Sequence, residues 1–147
     1  GDVEALAAAL DAGADVWRVH NGFMAHHTAA AKGRTEVFAA LLARVSKGEE
    51  AKSKGEELLA APTESGRSAM HLAANGGHVD TMRYIVEHHG GATAASVADA
   101  RGHTALHLSA HCGHLPVVKY LLEEASADVH ATTKDGLTAA HFACMAG

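Results

Sequence analysis

The 147-residue sequence predicts an all-α solenoid, a pile of similar helix-turn-helix units, on three observations. A block recurs down the chain, as NGFMAHHTAAAKGR from Asn21, SGRSAMHLAANGGH from Ser65, RGHTALHLSAHCGH from Arg101 and DGLTAAHFACMAG from Asp135. Its anchoring histidines, His27, His71, His107 and His141, lie 44, 36 and 34 residues apart, a period of about 33 with insertions of different size. Apolar residues between the blocks fall at helical spacing, and glycine marks the same two phases of every block.

The chain divides as one domain, 1–147. A partial unit occupies 1–19, unit one 20–62, unit two 63–98, unit three 99–132 and a truncated unit four 133–147. The opening GDVEALAAALDAGADV reads as the back half of an earlier unit, with Gly1 and Gly147 at the phase of Gly33, Gly77 and Gly113, so a monomeric fragment of a longer array is expected.

Within a unit, Gly22, Gly66, Gly102 or Gly136 supplies the turn, where a residue without Cβ takes positive φ freely. The first helix is expected over about Ser68 to Asn75 in unit two and Thr104 to Cys112 in unit three. Ser68, Thr104 and Thr138 are N-cap types whose hydroxyls accept from orphan backbone N–H groups. Gly33, Gly77 and Gly113 end that helix. The second helix starts near Glu36, Asp80 or Pro116, where acids suit the positive dipole end and proline needs no donor. Val117, Val118, Tyr120, Leu121 and Leu122 form its buried stripe in unit three, and Val79, Met82, Ile85 and Val86 in unit two. One opening helix, three pairs and one closing helix make eight.

Two segments break the period. Ser46 to Ala61 holds a tandem duplication, SKGEEAK then SKGEELL, expected to be a solvated extension with a marginal helix near Glu56 to Ala61, before Pro62. Long surface insertions cost little closure entropy; the sharper reading is a recognition element peculiar to this chain. GGATAASVADA in unit two reads as a lengthened return loop.

Composition narrows the function. Aromatics are 4% against 48% apolar residues overall, so the core must be built from closely packed alanine and leucine. A net charge of −5 without a dominant basic run disfavours nucleic acid, whose binding rests on phosphate neutralisation. No apolar stretch reaches the roughly 18 residues of a membrane span, and no basic leader opens the chain. Cys112 and Cys144 are expected to stay reduced, which suggests an intracellular place, cytoplasmic or nuclear.

Thirteen histidines raise a zinc alternative. His103, His107 and His111 stand at i, i+4 and i+8 with Cys112 and His114 close by, a spacing able to gather ligands. Structural duty is favoured instead, His107 bonding within its turn with help from Thr104. His88 and His89, in the last turn of a second helix, suit the dipole there. No nucleophile elbow, phosphate loop or HExxH is present. Cys112 beside His111 and His114 sits at a helix C-terminus, where a thiolate is disfavoured, so no enzymatic activity and no cofactor are expected.

The repeating block resembles the ankyrin repeat and its T-P-L-H-x-A signature. Unit three is similar through Gly102, Thr104, Ala105, Leu106, His107, Leu108, Ala110, Gly113, His114, Val117, Val118, Leu121, Leu122, Ala127, Asp128 and Val129, with Ala105 in place of proline. Unit two follows through Gly66, Ser68, Met70, His71, Leu72, Ala73, Ala74, Gly77 and His78. In unit one, Met24, His26 and Thr28 replace threonine and two leucines. The resemblance implies an ankyrin-repeat solenoid with β-turn or hairpin loops, and a non-catalytic module that binds a protein partner on its concave face.

Carried over by position, the partner-binding turn tips are His20, Asn21 and Phe23; Glu64, Ser65 and Arg67; Ala100, Arg101 and His103; and Lys134, Asp135 and Leu137. The helix ends add Ala31, Lys32, Asn75, Gly76, His111, Cys112, Met145 and Ala146. Phe23 and Arg67 are the most informative, being of hot-spot types. Trp17, in the first return loop, is expected to pack beneath the unit-one turn. A regulatory segment of a larger enzyme is the other alternative.

Overall fold

The computed structural model describes residues 2–45, 51–88 and 91–146, with residues 2, 51–54, 91 and 92 by backbone alone. Ser46 to Glu50 of the insertion, His89 and the phase glycines Gly1 and Gly147 lie outside the described residues.

Helices run in two layers. Inner helices α2 (Ala25–Ala31), α5 (Ala69–Gly76), α8 (Ala105–His111) and α10 (Ala139–Ala146) stack on one another in that order. Outer helices α1 (Asp2–Asp11), α3 (Thr35–Val45), α6 (Val79–His88) and α9 (Leu115–Glu123) stack alongside, and α3, α6 and α9 each pack on the inner helix of their own unit. The division of labour follows side-chain size. Inner helices bury Ala29, Ala30, Ala73, Ala74, Ala105 and Ala110, which lets neighbouring axes approach. Outer helices fill the space behind with Phe38, Leu41 and Leu42, then Met82 and Ile85, then Val117, Tyr120 and Leu121. Each such side chain contributes roughly 1.5–3 kcal/mol on burial. Thr81, fully buried in the outer layer, is matched by Thr35 at 2.7 Å between the Oγ1 atoms.

Ten helices are described where eight are expected from the sequence. The insertion forms α4 (Ala51–Ala60), which begins earlier than the predicted short helix and packs on α3. It is not wholly solvated, because Leu58 and Leu59 are buried and join the core. The expected return loop of unit two contains α7 (Gly91–Ser96), which lies against α6 and α8 with Ala95 buried. In both cases a pair of apolar or small residues at the helix end found a surface that the repeat pattern does not encode. The stripe of α9 is also narrower than predicted: Leu122 is 40% exposed. Trp17 is half-buried against the core.

The turns between units share one construction. In unit three Asp99 N–H donates to His103 O at 2.8 Å and Gly102 N–H donates back to Asp99 O at 2.9 Å. The Asp99 carboxylate accepts from the backbone N–H of Arg101 and of His103, both at 2.9 Å. Thr63 and Thr133 hold the same position in units two and four, and their hydroxyls accept from Arg67 N–H at 3.1 Å and Leu137 N–H at 3.2 Å. Unit one has Val19 there, with no acceptor to offer. Its turn tightens accordingly to His20–Phe23, with reciprocal N–H to O bonds of 2.8 and 3.0 Å and Asn21 and Gly22 both at positive φ, 51° and 77°. Asn-Gly is the dipeptide that such a two-residue hairpin turn favours.

Candidate partner-binding surface

Each framework histidine locks its own turn to the next layer. Ser68 N–H and Thr104 N–H donate to Nδ1 of His71 and His107, at 3.1 and 3.2 Å. An acceptor nitrogen carries no proton, so the Ser68 and Thr104 hydroxyls, 2.8 and 2.9 Å away, donate to it as well. The same hydroxyls also face the backbone N–H of the third helical residue as acceptors, the cap that the sequence predicts, so each cap is reciprocal. The proton resides on Nε2, and His71 and His107 donate it to the carbonyls of His103 (2.9 Å) and Leu137 (3.1 Å) in the following turn. His27 does likewise, accepting from Met24 N–H at 3.2 Å and donating to Ala61 O at 2.8 Å, which ties down the end of α4. Burial pushes all three histidines below the usual range, while the bond to a carbonyl pulls the other way. A second set works backwards along the stack: His78 Nε2–H donates to Ala31 O at 3.1 Å and His114 Nε2–H to Asn75 O at 3.0 Å.

The turns that result press against one another. Lys134 N–H donates to Arg101 O at 3.1 Å across the junction of units three and four. Gly102, at φ +85°, has no room for a side chain, since a Cβ would meet Lys134 N at 2.8 Å. A Cβ on Gly66 would meet Ala100 N at the same distance, and the side chain of Glu64 lies against Gly22. The four tips therefore form one continuous ridge.

On that ridge the predicted contact residues divide. His20, Asn21, Glu64, Ser65, Arg101, Lys134 and Asp135 are exposed, as are Lys32, Asn75, His111 and Met145 at the inner helix ends. Phe23 is 39% exposed, with its ring edge-on to His27 at 6.3 Å. Arg67 and His103 are only partly available. The Arg67 Nε lies 3.5 Å from Asp99 Oδ2 and the His103 Nδ1 3.1 Å from the same oxygen, so both are drawn into the junction of units two and three. Leu137 is half-buried.

Asp99, the hub of that junction, was not singled out from the sequence. Burial would raise its pKa, but the backbone N–H and ring of His103 and the backbone N–H of Arg101 outweigh it and hold the carboxyl below its usual range. A signal existed, since Asp99 stands in register with Thr63 and Thr133. The i, i+4, i+8 ladder of histidines also has a structural occupant. His103, His107 and His111 meet the Phe142 ring of α10 nearly perpendicularly, at centroid distances of 5.4, 5.5 and 5.9 Å. Both nitrogens of His107 are committed to hydrogen bonds, and among the described residues no three His, Cys, Asp or Glu side chains gather as metal ligands. Cys112 is exposed, with its Sγ 3.6 Å from Asn75 Oδ1.

His26 is the anomaly of unit one. It occupies the place of Met70 and Leu106, is wholly buried, and neither ring nitrogen has a partner. Its ring lies on that of His27, 3.9 Å between centroids. Burial, helped by His27, pushes its pKa down to about 3.

Paired helices in two stacked layers, with their turns aligned in a single ridge, define a repeat scaffold. The family model for ankyrin repeats (three copies) matches residues 1–91 and 27–133, and the chain belongs to that family. Ankyrin repeats are generally protein–protein interaction modules and typically non-catalytic. No curated protein matches the chain. Among the described residues no helix is long and apolar enough to cross a membrane.

Proposed function

We propose that this chain is a non-catalytic module that presents the ridge of turn tips and the adjoining inner helix ends to a protein partner. The observation that carries the reading is the continuity of the ridge, in which exposed Phe23, Glu64, Arg101 and Lys134 are displayed by turns hydrogen-bonded to themselves and packed on their neighbours. A surface fixed in advance loses little ordering entropy on binding. Phe23 and Arg101 are the anchors of choice, because aromatic and arginine side chains dominate interface energetics. Arg67 is better assigned to holding units two and three together through Asp99.

The test is affinity capture with the intact chain and with a Phe23→Ala, Arg101→Ala, Lys134→Ala variant of equal helical content. Loss of the captured partners from the variant supports the ridge as the contact surface. Recovery of the same proteins in the same amounts overturns it.

A further inference from the structure

We propose that the groove between α4 and α7 is a binding site for a small amphipathic cation, a primary alkylammonium whose chain fills the groove and whose charged end meets Glu56. Both walls are departures from the repeat. After α9 the return segment lies directly on its own unit, with Ala125 buried and Ala127 N–H donating to Leu121 O at 2.9 Å. In units one and two that place is taken by helices, α4 packed on α3 and α7 on α6 and α8. A groove of about 430 Å³ is left between them, floored by Met70 and Ile85 and walled by Leu59 and Ala60 on one side and Ala94 and Val97 on the other. Val97 is 45% exposed. None of these residues belongs to the ridge of turn tips, so this site and the proposed partner surface are tested separately.

Shape and polarity select the occupant. Each wall is short, Glu56 to Ala60 and Thr93 to Val97, about one helical turn of roughly 5.4 Å. A partner's helix laid there would find little length to hold it, whereas the volume falls within the roughly 300–1,000 Å³ of small-molecule sites. Among the described residues the polar side chains of the lining are Glu56, Ser68 and Thr93. The Ser68 hydroxyl is committed to His71 Nδ1 and to its helix cap, and Thr93 already has a partner. Glu56 is exposed and makes no ion pair or hydrogen bond among the described residues, and no lysine or arginine joins it in the lining. The group left unmet is therefore a carboxylate, which selects a cation. No aromatic ring lines the groove among the described residues, so a quaternary ammonium has no ring face to rest on. A primary ammonium instead donates N–H to the Glu56 carboxylate in a charge-assisted bond, while an alkyl chain leaves water over Met70, Ile85 and Val97.

The backbone amide NMR spectrum of the chain, titrated at neutral pH with n-octylammonium and in parallel with n-octanol and octanoate, tests this. The ammonium is expected to shift the resonances of Leu59, Met70, Ala94 and Val97. It should bind about two- to fivefold more tightly than the alcohol, the factor that one solvated charge pair supplies, and octanoate should bind more weakly than either. Glu56→Gln should bring ammonium and alcohol to equal affinity and leave the alcohol's unchanged. Ala60→Phe fills the groove from an exposed position and should abolish the shifts, with circular dichroism showing the parent's helix content. The proposal is overturned if octanoate binds as tightly as the ammonium, if Glu56→Gln keeps the preference, if folded Ala60→Phe still binds, or if the shifts fall elsewhere or are absent at millimolar probe.

Discussion

Replacing His26 by leucine should stabilise the chain, and by more in acid than at neutral pH. The folded state holds this imidazole neutral down to about pH 3, whereas in the unfolded chain it titrates at the ordinary 6.5. Above pH 6.5 both states are neutral and the titration contributes nothing. Below it the unfolded chain alone takes up the proton, and stability falls by roughly 1.4 kcal/mol for each pH unit until the folded pKa is reached. At about pH 5 this amounts to roughly 2 kcal/mol lost to one side chain. Its two ring nitrogens are buried without partners, which costs on the order of 1–3 kcal/mol at any pH. Leucine, the residue of the equivalent position 106, removes both penalties. Urea melts followed by circular dichroism at about pH 7.5 and about pH 5 should therefore give a gain of about 1–3 kcal/mol at the first and about 2 kcal/mol more at the second. His27, His71 and His107 are shifted in the same direction and remain in the variant, so only the difference between the two proteins isolates His26. An equal gain at both pH values, or a loss at neutral pH, would refute the reasoning.

Three further outcomes are expected. Asp99→Ala strips the acceptor from two backbone N–H groups and leaves Arg67 and His103 unpaired, at a cost of about 2–3 kcal/mol by denaturant titration; a change below roughly 0.5 kcal/mol would deny Asp99 its place as hub. Gly102→Ala should cost more than Gly136→Ala, because both take positive φ but only the first meets backbone, Lys134 N at 2.8 Å, while open space surrounds the second. Leu58→Ala in α4 should lose about 2–5 kcal/mol by thermal or urea melting, whereas a cost under roughly 1 kcal/mol would return the insertion to the status of a solvated appendage.

Whatever recurs in the sequence was legible, because each layer poses the same physical problem. Gly66, Gly102 and Gly136 repeat because each turn needs positive φ, and at Gly66 and Gly102 the next turn also leaves no room for a side chain. His71 and His107 repeat because each layer needs a donor directed at the next carbonyl. What occurs once was hidden. Leu58 and Leu59 follow a lysine- and glutamate-rich run that says solvent, and only the surface of α3 makes them core. The spacing of His103, His107 and His111 was visible, but that Phe142 would receive all three rings depends on how α10 lands on α8. Asn21-Gly22 carried a readable hairpin signal. Its meaning lies in Val19, whose lack of an acceptor forces the first turn to close without one.

The imidazoles that reach forward and backward along the stack give its seams unequal strength. Units two and three are sewn from both directions, by His71 and His114, whereas units one and two are joined by His78, because His27 closes on Ala61 within its own unit. Local opening should therefore come more readily between units one and two than at the doubly stitched seam in front of unit three.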